Sequence, residues 1–248
     1  MREITWLDDG HRRTTCLPHP ETEVIPGVPW GCPGEILSPA FWVLQAQGSS
    51  SPTHAFIVQD GSFIEEVGFC LLGGFGVRVE LAEAYHCRLR DSGCYETPFL
   101  DEDEIRIRLV EPVAIDGRNV RYRYPNQRAR RLAEALPKLQ HERFSTRDAR
   151  DLRESLMEIE GIGPKTASWI VRNWLGSDDV AILDIHVIRA CQAIGVFPSE
   201  VALSSEYAKL EQRFLDFSKG LGVRASILDA VIWHHMREFT PRLLQKLT

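Results

Sequence analysis

Apolar positions recur along most of this chain at helical spacing. "SPAFWVLQAQ" reads as a helix with Ser38 as N-cap and Pro39 at the first helical position. "SFIEEVGFCLLGG" carries a Ser-x-x-Glu capping box, Ser62 and Glu65, and ends at Gly73 and Gly74. "VELAEAYHCRLRD" follows as a third helix. "DEDEIRIRLVEPV" is ambiguous: Ile105, Ile107 and Leu109 alternate as in a strand, yet the leading acids suit a helix N-terminus. It is read here as a short helix. "NQRARRLAEALPKL" places Ala129, Leu132, Ala133 and Leu136 on one face, and "STRDARDLRESLMEIE" does the same with Ala149, Leu152, Leu156 and Ile159. After a glycine turn, "KTASWIVRNWL" aligns Ala167, Ile170, Val171 and Trp174. "DIHVIRACQAIGV", "SSEYAKLEQRFLDFSKGLG" and "RASILDAVIWHHMREF" complete about nine or ten predicted helices.

The first 37 residues differ. "EITWL-DDG-HRRTTCL" suggests a hairpin, because Asp-Gly is a favoured tight turn. "PHPETEVIPGVPWGCPG" is too rich in Pro and Gly for a helix and is expected to wrap the surface, pinned by Trp30. "GSSSP" (48–52) is the one segment with the composition of a flexible loop. The reading is a mainly α protein: an N-terminal extension over 1–37, then a helical domain over 38–248 with a helix-hairpin-helix at 148–175.

Composition narrows this little. The 248 residues are 44% hydrophobic and 26% charged, ordinary for a soluble globule of one large or two small domains. No apolar run approaches the roughly 18 residues of a membrane helix, and the N-terminus lacks the apolar stretch of a secretory signal. No membrane partner is expected. The cysteines form no CxxC, which argues against zinc or an iron–sulfur cluster. Neither a metal nor another cofactor is expected; reduced thiols in a cytoplasm fit best. Net charge is −6, which by itself disfavours nucleic-acid binding. The charge is uneven, however. "RNVRYRYPNQRARR" (118–131) holds arginines and no acid, whereas lysine occurs only at 138, 165, 209, 219 and 246. The basic stretch is either a solvated helix face or, through Arg128 and Arg131 in particular, a source of backbone contacts to DNA.

Two residues misfit their surroundings. Lys165 follows the turn Gly161-Ile162-Gly163-Pro164, where a cation meets the positive end of a helix. Asp184 interrupts the apolar run "VAILDIHVI", where a carboxylate is costly. Glycines at 161 and 163 allow close backbone approach, with Ile162 tucked between two helices and free N–H groups, including that of Thr166, facing an anion such as a DNA phosphate. The plainer alternatives are a glycine-capped corner and, for Asp184, an N-cap of the helix after it.

"GIGPKTASWIVRNWL…AILDIHVIR" resembles the helix-hairpin-helix–Gly/Pro–Asp superfamily of DNA glycosylases, most specifically over 151–189. The resemblance implies a two-lobed helical fold, with Lys165 in the position that marks bifunctional glycosylase/lyases and Asp184 in the aspartate position shared by the superfamily. "EEVGFCLLGGFG" and "LDAVIWHHMREF" are similar to the first and last helices of the type-2 8-oxoguanine glycosylases. This chain departs from them in its N-terminal extension and in running on past Trp233.

What the resemblance implies is base excision: a nucleotide is flipped from the duplex, the Lys165 amine attacks the sugar and forms a Schiff base, and Asp184 stabilises the positive charge that develops there. Gly161, Ile162, Gly163, Thr166 and His186 would contact the backbone; Trp233 would stack on the base and Ser168 would line its pocket. The partner is duplex DNA holding a damaged base, 8-oxoguanine first, handled by a monomer in the cytoplasm near the nucleoid. Three alternatives stand. The same mechanism could serve another base, such as a hypermodified cytosine in phage DNA; the chain could be a non-catalytic DNA-binding module; or it could be a helical protein with no DNA role.

Overall fold

The computed structural model describes residues 1–48, 61–74, 76–97 and 101–239. Residues 49–52 of the expected loop lie outside them. Among the described residues there are ten helices and three two-stranded antiparallel sheets. The chain groups into two compact units, Met1–Phe56 with Asp178–Thr248, and Ile57–Ser177.

The first unit opens with the expected hairpin, β1 (Arg2–Asp8) paired with β2 (His11–Leu17). Asp9 and Gly10 turn it at φ 47° and 79°, as a tight turn matched to strand twist requires. The Pro- and Gly-rich stretch holds a small pair, β3 (Glu23–Ile25) and β4 (Val28–Pro29), and buries Val28 and Trp30. Ser38 caps α1 (Pro39–Gln47), accepting from the Phe41 N–H at 3.1 Å.

The second unit begins with α2 (Phe63–Leu72), whose capping box from Ser62 and Glu65 forms as predicted. α3 (Val79–Asp91) and α4 (Glu102–Val110) follow. Helix wins in the ambiguous stretch. Ile105 and Leu109, one turn apart, are buried, while Ile107 is 55% exposed on the other side. A hairpin that the periodicity did not predict comes next, β5 (Val113–Ile115) with β6 (Arg118–Val120). Its turn is a second Asp-Gly, Asp116 and Gly117 at φ 51° and 72°, so the signal was present. α5 (Pro125–His141), α6 (Ala149–Met157) and α7 (Pro164–Leu175) complete the unit. On α5 the buried stripe is Ala129, Leu132, Ala135, Leu136 and Leu139; Ala133 is only half-buried.

The chain then returns to the first unit with α8 (Ile185–Ala193), α9 (Leu203–Leu221) and α10 (Ala225–Glu238). One core joins Leu17, Val28, Trp30 and Trp42 from the N-terminal part to Leu183, Phe197, Phe214 and Phe217 from the C-terminal part. Gly220 of α9 lies so close to β3 that a Cβ there would meet the Val24 carbonyl oxygen at 2.7 Å.

Candidate active site

The hairpin between α6 and α7 is built by caps and small residues. Asp148 starts α6, accepting from the N–H groups of Arg150 and Asp151 at 2.8 and 3.0 Å. After the helix the Ile162 N–H bonds to the Ile159 carbonyl at 3.1 Å, and Ile162 is buried, 4% exposed, as its place between the helices predicts. Gly161 sits at φ +89°, and a Cβ there would meet Cδ of Arg131 at 2.5 Å. Both facts demand glycine. Gly163 is the N-cap of α7, Pro164 occupies its first turn, and no side chain caps that end. Exposed Gly163 and half-buried Thr166 therefore flank a helix start of the kind that accepts anions.

Lys165 stands half-buried in the first turn of α7. Ala167, Ile170 and Val171 are buried on the packed side of the helix. Two turns beyond Lys165, Asn173 donates from Nδ2 to Glu66 Oε1 of α2 at 2.7 Å, and the Cys70 thiol donates to the same oxygen at 3.2 Å. Burial raises the Glu66 carboxyl above its ordinary pKa, against those two hydrogen bonds and nearby Arg172. Sequence periodicity missed Glu66, which carries no mark beyond being an acid on a buried helix face.

Ser168 corrects an expectation. It is 0% exposed, covered by packing even though its i+3 spacing keeps it close to the face of Lys165. It does not line an open pocket. Arg128 is a second correction. It is 8% exposed and donates from Nη2 to the Gly73 carbonyl at 2.9 Å, bracing the end of α2, so its guanidinium is not offered to a DNA backbone. Arg131 is half-buried with its stem over Gly161, and Arg130 is ion-paired with Glu160.

Asp184 belongs to the first unit, with His186 and Trp233. It is the N-cap of α8, accepting from the N–H groups of His186 and Val187 at 2.9 and 2.8 Å. The apolar run before it joins no sheet, yet Val180, Ala181, Ile182 and Leu183 are all buried. Side chains of α9 and α10 replace the missing ladder. The Ala181 N–H donates to Glu211 Oε1 at 2.9 Å, and the Ile182 N–H to Asp229 Oδ2 at 3.4 Å. The Tyr207 hydroxyl donates to the Ala181 carbonyl at 2.7 Å and accepts from the Leu183 N–H at 3.3 Å. Buried backbone groups need such partners. The result is a rigid lead-in that ends in a fixed carboxylate. Glu211, one turn after Tyr207 on the buried face of α9, was the readable sign of it.

His186 is half-buried, one residue into α8. Trp233 is half-buried on α10, with the Arg237 guanidinium 4.3 Å from its ring centre, so one face of the indole is already covered. No group of three or more His, Cys, Asp or Glu among the described residues is placed to hold a metal, and no described helix is long and apolar enough to cross a membrane.

Residues 58–223 match the family model described as 8-oxoguanine DNA glycosylase. Over 129 residues the chain is 33% identical to an 8-oxoguanine DNA glycosylase/AP lyase of Metallosphaera sedula, covering 50% of this chain and 63% of that protein. Over 181 residues it is 29% identical to a protein of the same name from Saccharolobus islandicus, covering 69% and 81%. Among solved structures, the 8-oxoguanine DNA glycosylase of Thermotoga maritima superposes with a TM-score of 0.54 at 25% identity, covering 70% of this chain and 78% of that one. The 8-oxoguanine DNA glycosylase of Methanocaldococcus jannaschii gives 0.54 at 25%, covering 70% and 77%.

Proposed function

Because this chain belongs to the 8-oxoguanine DNA glycosylase family by its match over residues 58–223, we propose that it is a bifunctional DNA glycosylase/AP lyase acting on 8-oxoguanine in duplex DNA. The observation that carries the reading is Lys165, the second residue of a helix that opens on a bare glycine turn. A lysine amine in its neutral form is the nucleophile that such chemistry uses.

In this reading the flipped nucleotide presents C1′ to the Lys165 amine. A C–N bond forms as the glycosidic bond breaks, and the base departs with the bonding electrons and a proton. The sugar ring then opens by breaking the C1′–O4′ bond, which gives the Schiff base and acidifies C2′; loss of the C2′ proton and β-elimination break the C3′–O bond. Asp184 offsets the positive charge that grows on the sugar, and its two backbone hydrogen bonds fix its orientation beforehand. The turn at Gly161–Gly163, with Thr166 and His186, contacts phosphates, and Trp233 stacks on the base. The chemistry uses the protein's own amine and needs no cofactor. The protein works as a monomer in the cytoplasm, at the nucleoid.

A second reading changes only the base. α10, which carries Trp233, packs on α1 through His235, 6.1 Å from Phe41 between ring centres, and both helices lie outside the family match. Because that packing falls outside the family match, the same chemistry there could serve a different target, such as a hypermodified cytosine. Duplexes that each hold one modified base separate the two. Release of free 8-oxoguanine with strand cleavage supports the first; release of another base in preference to it replaces the first with the second.

A further inference from the structure

The basic stretch 118–131 divides into two groups in the structure. Arg128 is buried on the Gly73 carbonyl, Arg130 is paired with Glu160, and Arg131 fills the space above Gly161. These three are engaged inside the unit that carries the hairpin. Arg118, Arg121 and Arg123 are exposed, and among the described residues none of them has an acidic partner. Elsewhere, exposed Arg224 pairs with Asp178, half-buried Arg106 with Asp103, and half-buried Arg88 donates to the carbonyls of Arg108 and Pro112. Arg12, Arg78, Arg143, Arg147 and Arg189 are exposed with no acidic partner among the described residues, but do not fall together on one strap.

The backbone explains why Arg121 and Arg123 share one face. The chain leaves β6 extended, and extended chain sends alternate side chains to opposite faces. Tyr122 takes the inner face. It is buried, its hydroxyl donates to the Leu72 carbonyl, and its N–H donates to the Tyr85 hydroxyl at 3.1 Å. Arg121 and Arg123 on either side are thereby turned outward. Arg123 lies 5.1 Å from the Tyr124 ring centre and close over Gly76, where a Cβ would meet its Nη1 at 2.6 Å. Arg118 has the other parity but stands exposed at the outer end of β6, beside the Asp116–Gly117 turn. In a chain of net charge −6, three such guanidiniums fall within one short anchored strap. Guanidinium is suited to phosphate, which it can bind bidentately.

We propose that Arg118, Arg121 and Arg123 form a second phosphate-contacting strap for duplex DNA, separate from the hairpin turn, and that Arg131 is a positioning residue that holds that turn. The proposal rests on the glycosylase reading. Its test is the salt dependence of binding of the full chain to a short labelled duplex carrying one 8-oxoguanine. Each phosphate neutralised contributes about 0.9 to the slope of log K against log salt. Replacing the three strap arginines by Gln, or separately by Ala, flattens the slope by up to about 2.7 while the melting temperature stays near that of the parent. Arg131→Ala weakens binding with the slope unchanged, and Arg131→Lys, which keeps an aliphatic stem over Gly161, restores it. A parental slope in both triple variants overturns the strap. A slope lowered by about 0.9 in Arg131→Ala overturns the positioning role. If the parent protein shows no salt-dependent affinity for the duplex, the glycosylase reading falls and this inference with it.

Discussion

Asp184 caps α8 and, in the proposed mechanism, also offsets charge on the sugar, and substitution separates the two. Its carboxylate caps α8 through two backbone N–H groups, which asparagine can do about as well. Asp184→Asn is expected to melt close to the parent while base release falls by at least tenfold. Asp184→Ala loses the cap as well and costs about 1 kcal/mol of stability. Thermal melts beside single-turnover base release check both, and a full-activity Asp184→Asn removes the electrostatic role. Both Asp184 and Lys165 were legible in the sequence because each misfits its local setting: a cation at a helix start, an acid in an apolar run. Arg128 and Ser168 were not. Arginine usually stays at the surface, and Arg128 is buried only because the end of α2 offers it a carbonyl that no local pattern announces.

At the scale of elements, helices were read well because their periods and caps are local. The Ser62–Glu65 box, Ser38 with Pro39, and the first Asp-Gly turn all formed. The segment 180–183 was not legible, since its hydrogen bonds go to side chains tens of residues away. Tyr207→Phe removes a hydroxyl that serves two buried backbone groups, at Ala181 and Leu183. A loss of about 2 kcal/mol is expected, with faster amide exchange at Leu183. A parental exchange rate there would show that the hydroxyl is not what holds the segment.

The start of α10 has a pH dependence of its own. Asp178 accepts from the Ser226 N–H at 2.9 Å and from Arg224 Nε at 2.7 Å. Burial works to raise its carboxyl, but the Ser226 and Arg224 bonds outweigh it and hold the pKa below the ordinary value. A group depressed in the folded state contributes stability above its unfolded pKa and loses it as pH falls through the folded one. Below about pH 4, Asp178→Asn should therefore lose less stability on acidification than the parent. Equal acid sensitivity in denaturant titrations at pH 3 and pH 6 would contradict the assignment.

For the whole molecule, the division into two units sets what sequence could show. Lys165 and its turn are made within Ile57–Ser177, a continuous stretch in which packing follows chain order. The unit that holds Asp184 and Trp233 joins the N-terminal segment to the C-terminal third, so Leu17, Val28 and Trp30 share a core with Phe214 and Phe217. Periodicity finds such residues but not their partners, because the contacts span most of the chain. Net charge misleads at this scale too. At −6 it argues against DNA, yet binding depends on where the unmatched arginines lie.

In the proposed mechanism Lys165 becomes covalently joined to the sugar of an 8-oxoguanine nucleotide. Borohydride reduction during turnover on an 8-oxoguanine duplex, with Lys165→Gln and Asp184→Asn alongside, tests it directly. A stable protein–DNA adduct is expected for the parent and none for Lys165→Gln. An adduct of equal yield in Lys165→Gln, or no adduct from the parent on either the 8-oxoguanine or an abasic-site duplex, would contradict it.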